Sequence, residues 1–231
     1  MITAFLPCRK GSQRIPDKNI KDFSGIQGGL LKIKIEQLLA CNDIDSIVIS
    51  SNDERVLDYS SRYSSSRIVI DERPEHLGSN STTTDELIQY VPKLITEGDV
   101  LWTHVTAPFV TENDYADIIE NYRLRLSEGF DSLMTVLKLQ GFIWSKSKPI
   151  SYDRNQMKWP MTQNIEPLFE VDSGVFLSSI ENYKLHLDRI GRHPFLYEQD
   201  KIKSIDIDWP DDFYFAERMW QQLMLDKKND G

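Results

Sequence analysis

The chain has 231 residues, 40% hydrophobic and 27% charged, with a net charge of −9, the composition of a soluble globular protein long enough to bury a sizeable core. No basic leader runs into an apolar segment and no stretch approaches the ~20 apolar residues of a bilayer span, so a cytoplasmic protein without membrane contact is expected. The acidic balance speaks against a nucleic-acid partner, and the two cysteines, Cys8 and Cys41, form neither a disulfide framework nor a zinc-binding set.

The N-terminal run ITAFLP (2–7) reads as a short buried strand. The segment GGLLKIKIEQLLAC (28–41) places Leu31, Ile35, Leu38 and Leu39 at helical spacing. A second strand is expected at 45–50, a helix opened by an Asx residue at 53–63, and a third strand at 67–70. Residues 81–95 predict a helix with a Ser/Thr cap region, which Pro92 would kink or divide. A strand at 99–105, a helix at 111–126 and a strand at 130–139 complete an alternation that predicts a mostly parallel sheet with helices on both faces. The rhythm breaks at 140–170, a Pro-, aromatic- and polar-rich stretch that reads as an inserted arm. Its Trp144, Trp159 and Phe169 form either a small core or a subunit contact. Strand character resumes at 171–179, followed by a helix at 179–190, a strand at 201–208, a closing helix at 210–225 and a short charged tail, DKKNDG. The whole is expected to be one domain, 1–231, carrying the 140–170 arm.

Charge is unevenly placed along the chain. Residues 1–34 hold seven basic side chains against two acidic ones, a net +5, so the remainder carries about −14. Four of those cations (Arg9, Lys10, Arg14 and Lys18) lie in the loop after the first strand, at the strand end where sheets of this class bind ligands. The loop lacks GxGxxG and GxxxxGK[ST] cradles. Its two arginines offer forked donors, Lys18 a point charge and Ser12 a hydroxyl, a set suited to a small polyphosphate. Cys8, beside them, reads as a small packed hydrophobe.

Three other stretches can carry chemistry. In SIDIDWPDD (204–212), a strand would put Asp206 and Asp208 on one face, where they repel unless a cation relieves them; Mg²⁺ shared with ligand phosphates is one remedy and helix capping the bland alternative. In DERPEHLGSNSTTTDEL (71–87), Arg73 with Ser81 and Thr82 offers donors at a helix start. In WTHVTAPF (102–109), His104 and Thr106 share a face at a strand end, where a lone histidine is more often structural than catalytic.

Together these stretches resemble the CMP-sugar synthetases, the acylneuraminate cytidylyltransferases and their relatives that activate other 3-deoxy-2-ulosonic acids. The run PCRKGSQRIPDKNI resembles the family signature P-A-R-x-x-S-x-x-I-P-x-K-N-I. ERPEHL, STTTDEL, HVTAPF and SIDID follow in the family's order, so five motifs cover nearly the whole chain. The resemblance implies a Rossmann-like nucleotidyltransferase fold with an inserted dimerisation arm, so a homodimer is expected. It implies transfer of CMP from CTP to a sugar acid with release of pyrophosphate, using Mg²⁺. By position, Arg9 and Ser12 would bind the triphosphate, with Arg14 beside them. Lys18 and Asn19 would meet phosphates and ribose, and Arg73, Ser81 and Thr82 would face the cytidine. Asp206 and Asp208 would hold Mg²⁺, and Arg9, Lys18 and Asp208 would carry catalysis.

The departures fall on the acceptor side. His104 replaces a Gln, Ala107 a Ser and Val110 an Arg. In the stretch matching RRQxLPxxYRxNGxIY, Gln163 is kept, while Met161 and Thr162 precede it and Glu170 and Ser173 replace an Arg and an Asn. The lost cations weaken the case for sialic acid. His104, Thr106, Gln163 and Glu170 are then expected to meet a hydroxyl-rich or amine-bearing acceptor. Two other readings remain open: a nucleotidyltransferase with another nucleotide or acceptor, and an inactive nucleotide-binding homologue.

Overall fold

The structure, a computed structural model, describes residues 1–79 and 81–229; Asn80 of the Ser/Thr-rich stretch and the last two residues of the charged tail, Asp230 and Gly231, lie outside the described residues. Seven strands form one sheet in the order β3-β2-β1-β4-β6-β5-β7. These are β1 (Ile2–Pro7), β2 (Ser46–Ser51), β3 (Ile68–Glu72), β4 (Asp99–Thr103), β5 (Ser132–Leu139), β6 (Leu168–Ser179) and β7 (Pro194–Gln199). All neighbours pair in parallel except β6, which runs antiparallel to both β4 and β5. The α/β class and its mostly parallel sheet are as expected from the alternation.

The period-2 geometry of the strands sets the two faces. Ala4 and Leu6 of β1 join Ile47, Ile49, Leu101 and Leu177 against α1 (Gly29–Ala40), α4 (Glu112–Ser127) and α6 (Pro210–Asn229). Phe5, Val48, Trp102 and Phe176 leave by the other face to pack on α3 (Thr84–Leu94) and α5 (Ile180–His186). The remaining helix, α2 (Glu54–Ser60), is started by Asp53, whose carboxylate accepts from Arg55 N–H at 3.1 Å. Thr83 and Glu86 form a capping box on α3. Pro92 does not divide that helix, which runs through it to Leu94; it stands in the last turn, where few intrahelical bonds remain to be lost.

Two expectations for the C-terminal third are corrected. Residues 201–208 form no strand: 201–204 make a turn, with Ser204 N–H donating to Asp200 C=O. Both edges of β4 are already taken by β1 and β6, so the 205–208 segment crosses over the end of β4 and makes a single bond there, from Ile207 N–H to Thr106 C=O at 2.9 Å. The strand of this region is β7, seven residues or so upstream, which finds the free edge of β5.

The arm at 140–167 has little regular structure beyond a bridge between Trp144 and Pro149 and a single 3-10 turn at Thr162–Asn164. Phe142, Tyr152 and Trp159 pack edge to face, with Arg154 over the rings of Trp144 and Trp159. Met157, Trp159 and Met161 remain exposed. Among the described residues no helix is long and apolar enough to cross a membrane.

Candidate functional site

The sheet order reverses between β1 and β4, and a cleft of about 470 Å³ opens at their carboxyl ends. Its walls come from the loop after β1, the loop after β4, the 206–208 crossing segment and the turn after α5, with Thr84 at the start of α3 and Ser173 of β6. A second cleft of about 430 Å³ adjoins it, sharing Pro7, Arg9, Thr84 and His104.

The long loop after β1 is anchored by burying Ile15 and Phe23. Gly29, at φ +51, ends it where a Cβ would run into the Lys21 carbonyl. Asn19 ties the loop together: its side-chain amide donates to Arg9 C=O at 3.1 Å, and its own carbonyl accepts from Leu31 N–H at 2.8 Å. Asn19 thus lines the cleft as a brace. Arg9 is exposed and reaches Ser79 C=O at 3.4 Å, while Ser12 lines the cleft.

The loop cations meet the crossing segment. Lys18 Nζ donates to Ile207 C=O at 2.7 Å and Asp208 Oδ1 at 3.2 Å; Arg14 pairs with Asp208 Oδ2 at 3.2 Å and stacks on Trp209. Burial would raise the Asp208 pKa, but Lys18 and Arg14 outweigh it and hold the carboxyl below its usual range. Asp206 behaves oppositely. Burial, and then the Asp208 charge, push its pKa up against the Thr106 hydroxyl and Lys18, and its Oδ1 is buried without a hydrogen-bond partner. So the two carboxylates share one cleft although no strand carries them. The buried Ile207 between them, bonded to Thr106, turns both the same way.

The loop after β4 is held from below. Lys34 of α1, fully buried, donates to Ala107 C=O (2.8 Å), Val110 C=O (3.2 Å) and the Tyr115 hydroxyl (2.7 Å); Gln37 donates to Pro108 C=O at 2.6 Å. Burial draws the Lys34 pKa well down. His104, half-buried, has both ring nitrogens engaged: Nδ1 lies 2.9 Å from Ser173 C=O and Nε2 accepts from Trp102 Nε1–H at 2.9 Å. Burial lowers its pKa to about 4, so the ring is neutral with the proton on Nδ1.

In the second cleft, Arg73 is 4% exposed and spends two nitrogens on Ser50, to Oγ at 3.0 Å and to C=O at 2.6 Å. Thr82 lines this cleft, its hydroxyl donating to His76 C=O. Ser81 is exposed, does not line either cleft and bonds to Ser79. Burial pushes the Cys8 thiol up to about 12, as suits a packed, inert side chain.

Two expected acceptor residues are not brought to the cleft of this chain. Gln163 is exposed on the arm, and Glu170 is exposed on β6 opposite Leu137. Conversely, Gln13, Ser173 and Arg189 line the cleft, and none of them was expected there as a binding group. Ser173 is placed by its left-handed backbone, φ +61, a conformation unusual outside Gly and Asn. Asp172, next to it, is occupied by four donors from Thr135, Gly174, Gln199 and Ser204.

A family model described as "Cytidylyltransferase" matches residues 3–230. Pseudaminic acid cytidylyltransferase of Campylobacter jejuni is 29% identical over 122 residues, 51% of this chain and 51% of the relative. N-acylneuraminate cytidylyltransferase B of Danio rerio is 23% identical over 93% of this chain and 50% of its own. The chain thus spans about half the length of these two curated relatives. The CMP-N,N'-diacetyllegionaminic acid synthase of Legionella pneumophila is 24% identical, with 95% of this chain and 96% of the relative aligned. Among solved structures, CMP:2-keto-3-deoxy-manno-octonic acid synthetase complexed with CTP has a TM-score of 0.66 at 13% identity, covering 96% of this chain and 98% of that one. The 4-diphosphocytidyl-2C-methyl-D-erythritol synthase of Anaerococcus prevotii has a TM-score of 0.67 at 15% identity, covering 95% and 96%. Both likenesses are likenesses of fold.

Proposed function

This chain is a member of the cytidylyltransferase family, and from that premise we propose that it transfers CMP from CTP to a hydroxyl of a sugar acid and releases pyrophosphate. The observation that carries the proposal is the meeting of Arg9, Arg14 and Lys18 with Asp206 and Asp208 in one cleft at the β1/β4 reversal. The acceptor oxygen bonds to the α-phosphorus, the bond to the bridging oxygen breaks, and pyrophosphate leaves with that electron pair while the hydroxyl proton is released. Such a transfer needs positioning and charge neutralisation more than covalent help from the protein. Arg9, Ser12, Arg14 and Lys18 supply donors for the phosphates, and Asn19 holds Arg9 and Lys18 in register. Arg73 and Thr82 face the nucleoside in the second cleft. Ser81 supports that wall through Ser79. His104 and Thr106 face the acceptor.

The carboxylate pair fits Mg²⁺. Among the described residues no three His, Cys, Asp or Glu side chains cluster as a closed metal cage, whereas Mg²⁺ commonly takes one or two carboxylates and completes its shell with phosphate oxygens and water. The unpartnered buried Oδ1 of Asp206 is the kind of atom such a cation would satisfy. Asp206 and Asp208 would hold the ion, which when bound offsets triphosphate charge. We place the reaction in the cytoplasm. We also propose a homodimer through the exposed aromatic arm, the one setting in which Gln163 and Glu170 would approach an acceptor; molar mass in solution tests it.

Pyrophosphate release should require CTP, Mg²⁺ and one sugar acid together, with each omission abolishing it. Release with another nucleotide, or with an acceptor that is not a sugar acid, would favour a different nucleotidyltransferase. Nucleotide binding with no release for any acceptor would favour an inactive homologue.

A further inference from the structure

Arg189 lies in the turn between α5 and β7 and lines the cleft. Its guanidinium stacks 3.5 Å from the centre of the Phe176 ring and 5.3 Å from that of Trp102. Both rings are almost fully buried, at 3% and 1% exposure. Among the described residues the guanidinium makes no hydrogen bond and no ion pair. The adjacent Asp188 carboxylate is used by the Arg189 backbone N–H, at 2.7 Å. The turn is set by Leu187 in a left-handed conformation, φ +54.

A half-buried cation without a counter-ion is costly unless something arrives to pair with it. Stacking on Phe176 fixes the plane of the guanidinium and leaves its edge donors for a planar, bidentate acceptor. The other cations of the cleft are differently placed. Arg14 and Lys18 are bound to Asp208, and Arg9 stands on the exposed phosphate side. His104, bonded to the Trp102 ring over which Arg189 lies, is neutral. The segment that would bring cations to an acceptor carries Met161, Thr162 and Glu170 instead and stays outside this cleft.

We propose that Arg189 is the specificity residue for the acceptor, pairing through its fork with the acceptor's carboxylate and holding it over the Phe176–Trp102 shelf beside His104 and Ser173. This rests on the transferase reading above and deepens it: the anionic end of the acceptor is read from the α5–β7 turn, so a sugar acid is selected despite the acceptor-side cations missing from the arm.

The test compares wild type with Arg189→Gln and Arg189→Lys, using pseudaminate, N-acetylneuraminate and 2-keto-3-deoxy-manno-octonate as probes. Calorimetric binding and pyrophosphate release are both read, with CTP varied separately. The methyl ester of each reactive acid serves as its neutral counterpart. Wild type should bind at least one acid. Arg189→Gln should weaken acid binding and raise the acceptor KM about 30-fold, with the CTP KM unchanged, and Arg189→Lys should recover part of it. Wild type should prefer acid to ester, and Arg189→Gln should lose that preference, which a merely structural residue would not do. An unchanged acceptor KM, a retained acid preference, or no acid binding by wild type would overturn the proposal. An equal loss of CTP affinity, marking general damage to the cleft, would overturn it as well. Acid binding that depends on Arg189 without any pyrophosphate release would instead remove the transferase reading and leave the carboxylate site standing.

Discussion

Replacing Lys34 with Met tests whether the cleft is built from beneath. The substitution keeps the apolar stem and removes the ammonium, so the carbonyls of Ala107 and Val110 and the Tyr115 oxygen lose their donor. A buried acceptor left unpaired costs ~1–3 kcal/mol. Val110 C=O is left unpaired, whereas Ala107 C=O keeps a 3.4 Å bond from Val110 N–H and the Tyr115 hydroxyl keeps Thr103 Oγ1. With three bonds to a charged donor lost against the relief of no longer burying an amine, we expect a net loss of about 3 kcal/mol. For a chain of this size that lowers the melting temperature by about 6–12 °C. The same loop presents Thr106 and, through the bond from Ile207, sets Asp206 and Asp208. Turnover measured well below the melting range should therefore fall about tenfold, since small misplacements of reacting groups are expensive. Gln37→Leu is the companion: it deletes the bond to Pro108 but also a buried Oε1 that has no partner, so its cost should be about 1 kcal/mol or less. A Lys34→Met protein that melts within about 1 °C of wild type and keeps its kcat/KM would refute the reasoning.

Three further outcomes are expected. Asp206→Asn should melt no lower than wild type, because it removes a carboxylate whose buried oxygen lacks a partner, while pyrophosphate release falls about 100-fold; unchanged turnover would take Asp206 out of the site. Arg67 donates to the carbonyls of Leu38, Leu39, Cys41 and Ile44 and so closes the end of α1. Arg67→Met should cost about 3 kcal/mol, read as a lowered urea midpoint with activity at low urea preserved. His104 has its folded-state pKa near 4 against an ordinary 6.5. The unfolded chain therefore binds more protons between those values, and wild-type stability should rise with pH through that window. Melting curves at pH 5 and 7 should show a smaller gap for His104→Gln than for wild type; equal gaps would contradict a neutral, buried ring.

The alternation of elements was readable because most strands obey local signals: period, caps and breakers. The Thr83 and Asp53 caps stood out for that reason. What failed was decided by the sheet's free edges. SIDID has ideal strand character, yet β4 had no edge to give it, while PFLYEQ, opened by a proline, took the edge of β5. The same limit applies to the site. Arg9, Arg14, Lys18, Asp206 and Asp208 were legible as local clusters, and the fold brings them together. Arg189 carried no signal beyond being one cation near the end of the helix expected at 179–190, which stops at His186, because its meaning lies in Phe176 and Trp102, which only the tertiary structure sets beneath it.

The hydrogen bond from Lys18 to Asp208 joins residues 190 positions apart. Closing a loop of that length costs about 4–5 kcal/mol of chain entropy in the simplest estimate. In return the crossing segment offers the buried Ile207 with its backbone bond to Thr106 and the bonds that Lys18 and Arg14 make to Ile207 and Asp208, none of them part of a strand ladder. The cleft should therefore assemble after the sheet and be the first region to come apart. A chain lacking its last thirty or so residues would keep every strand of the sheet and the cationic loop after β1, but neither Asp206 nor Asp208. In rising urea, activity should vanish while the sheet's circular dichroism persists, so loss of function will report the loosening of the two chain ends from one another before it reports unfolding.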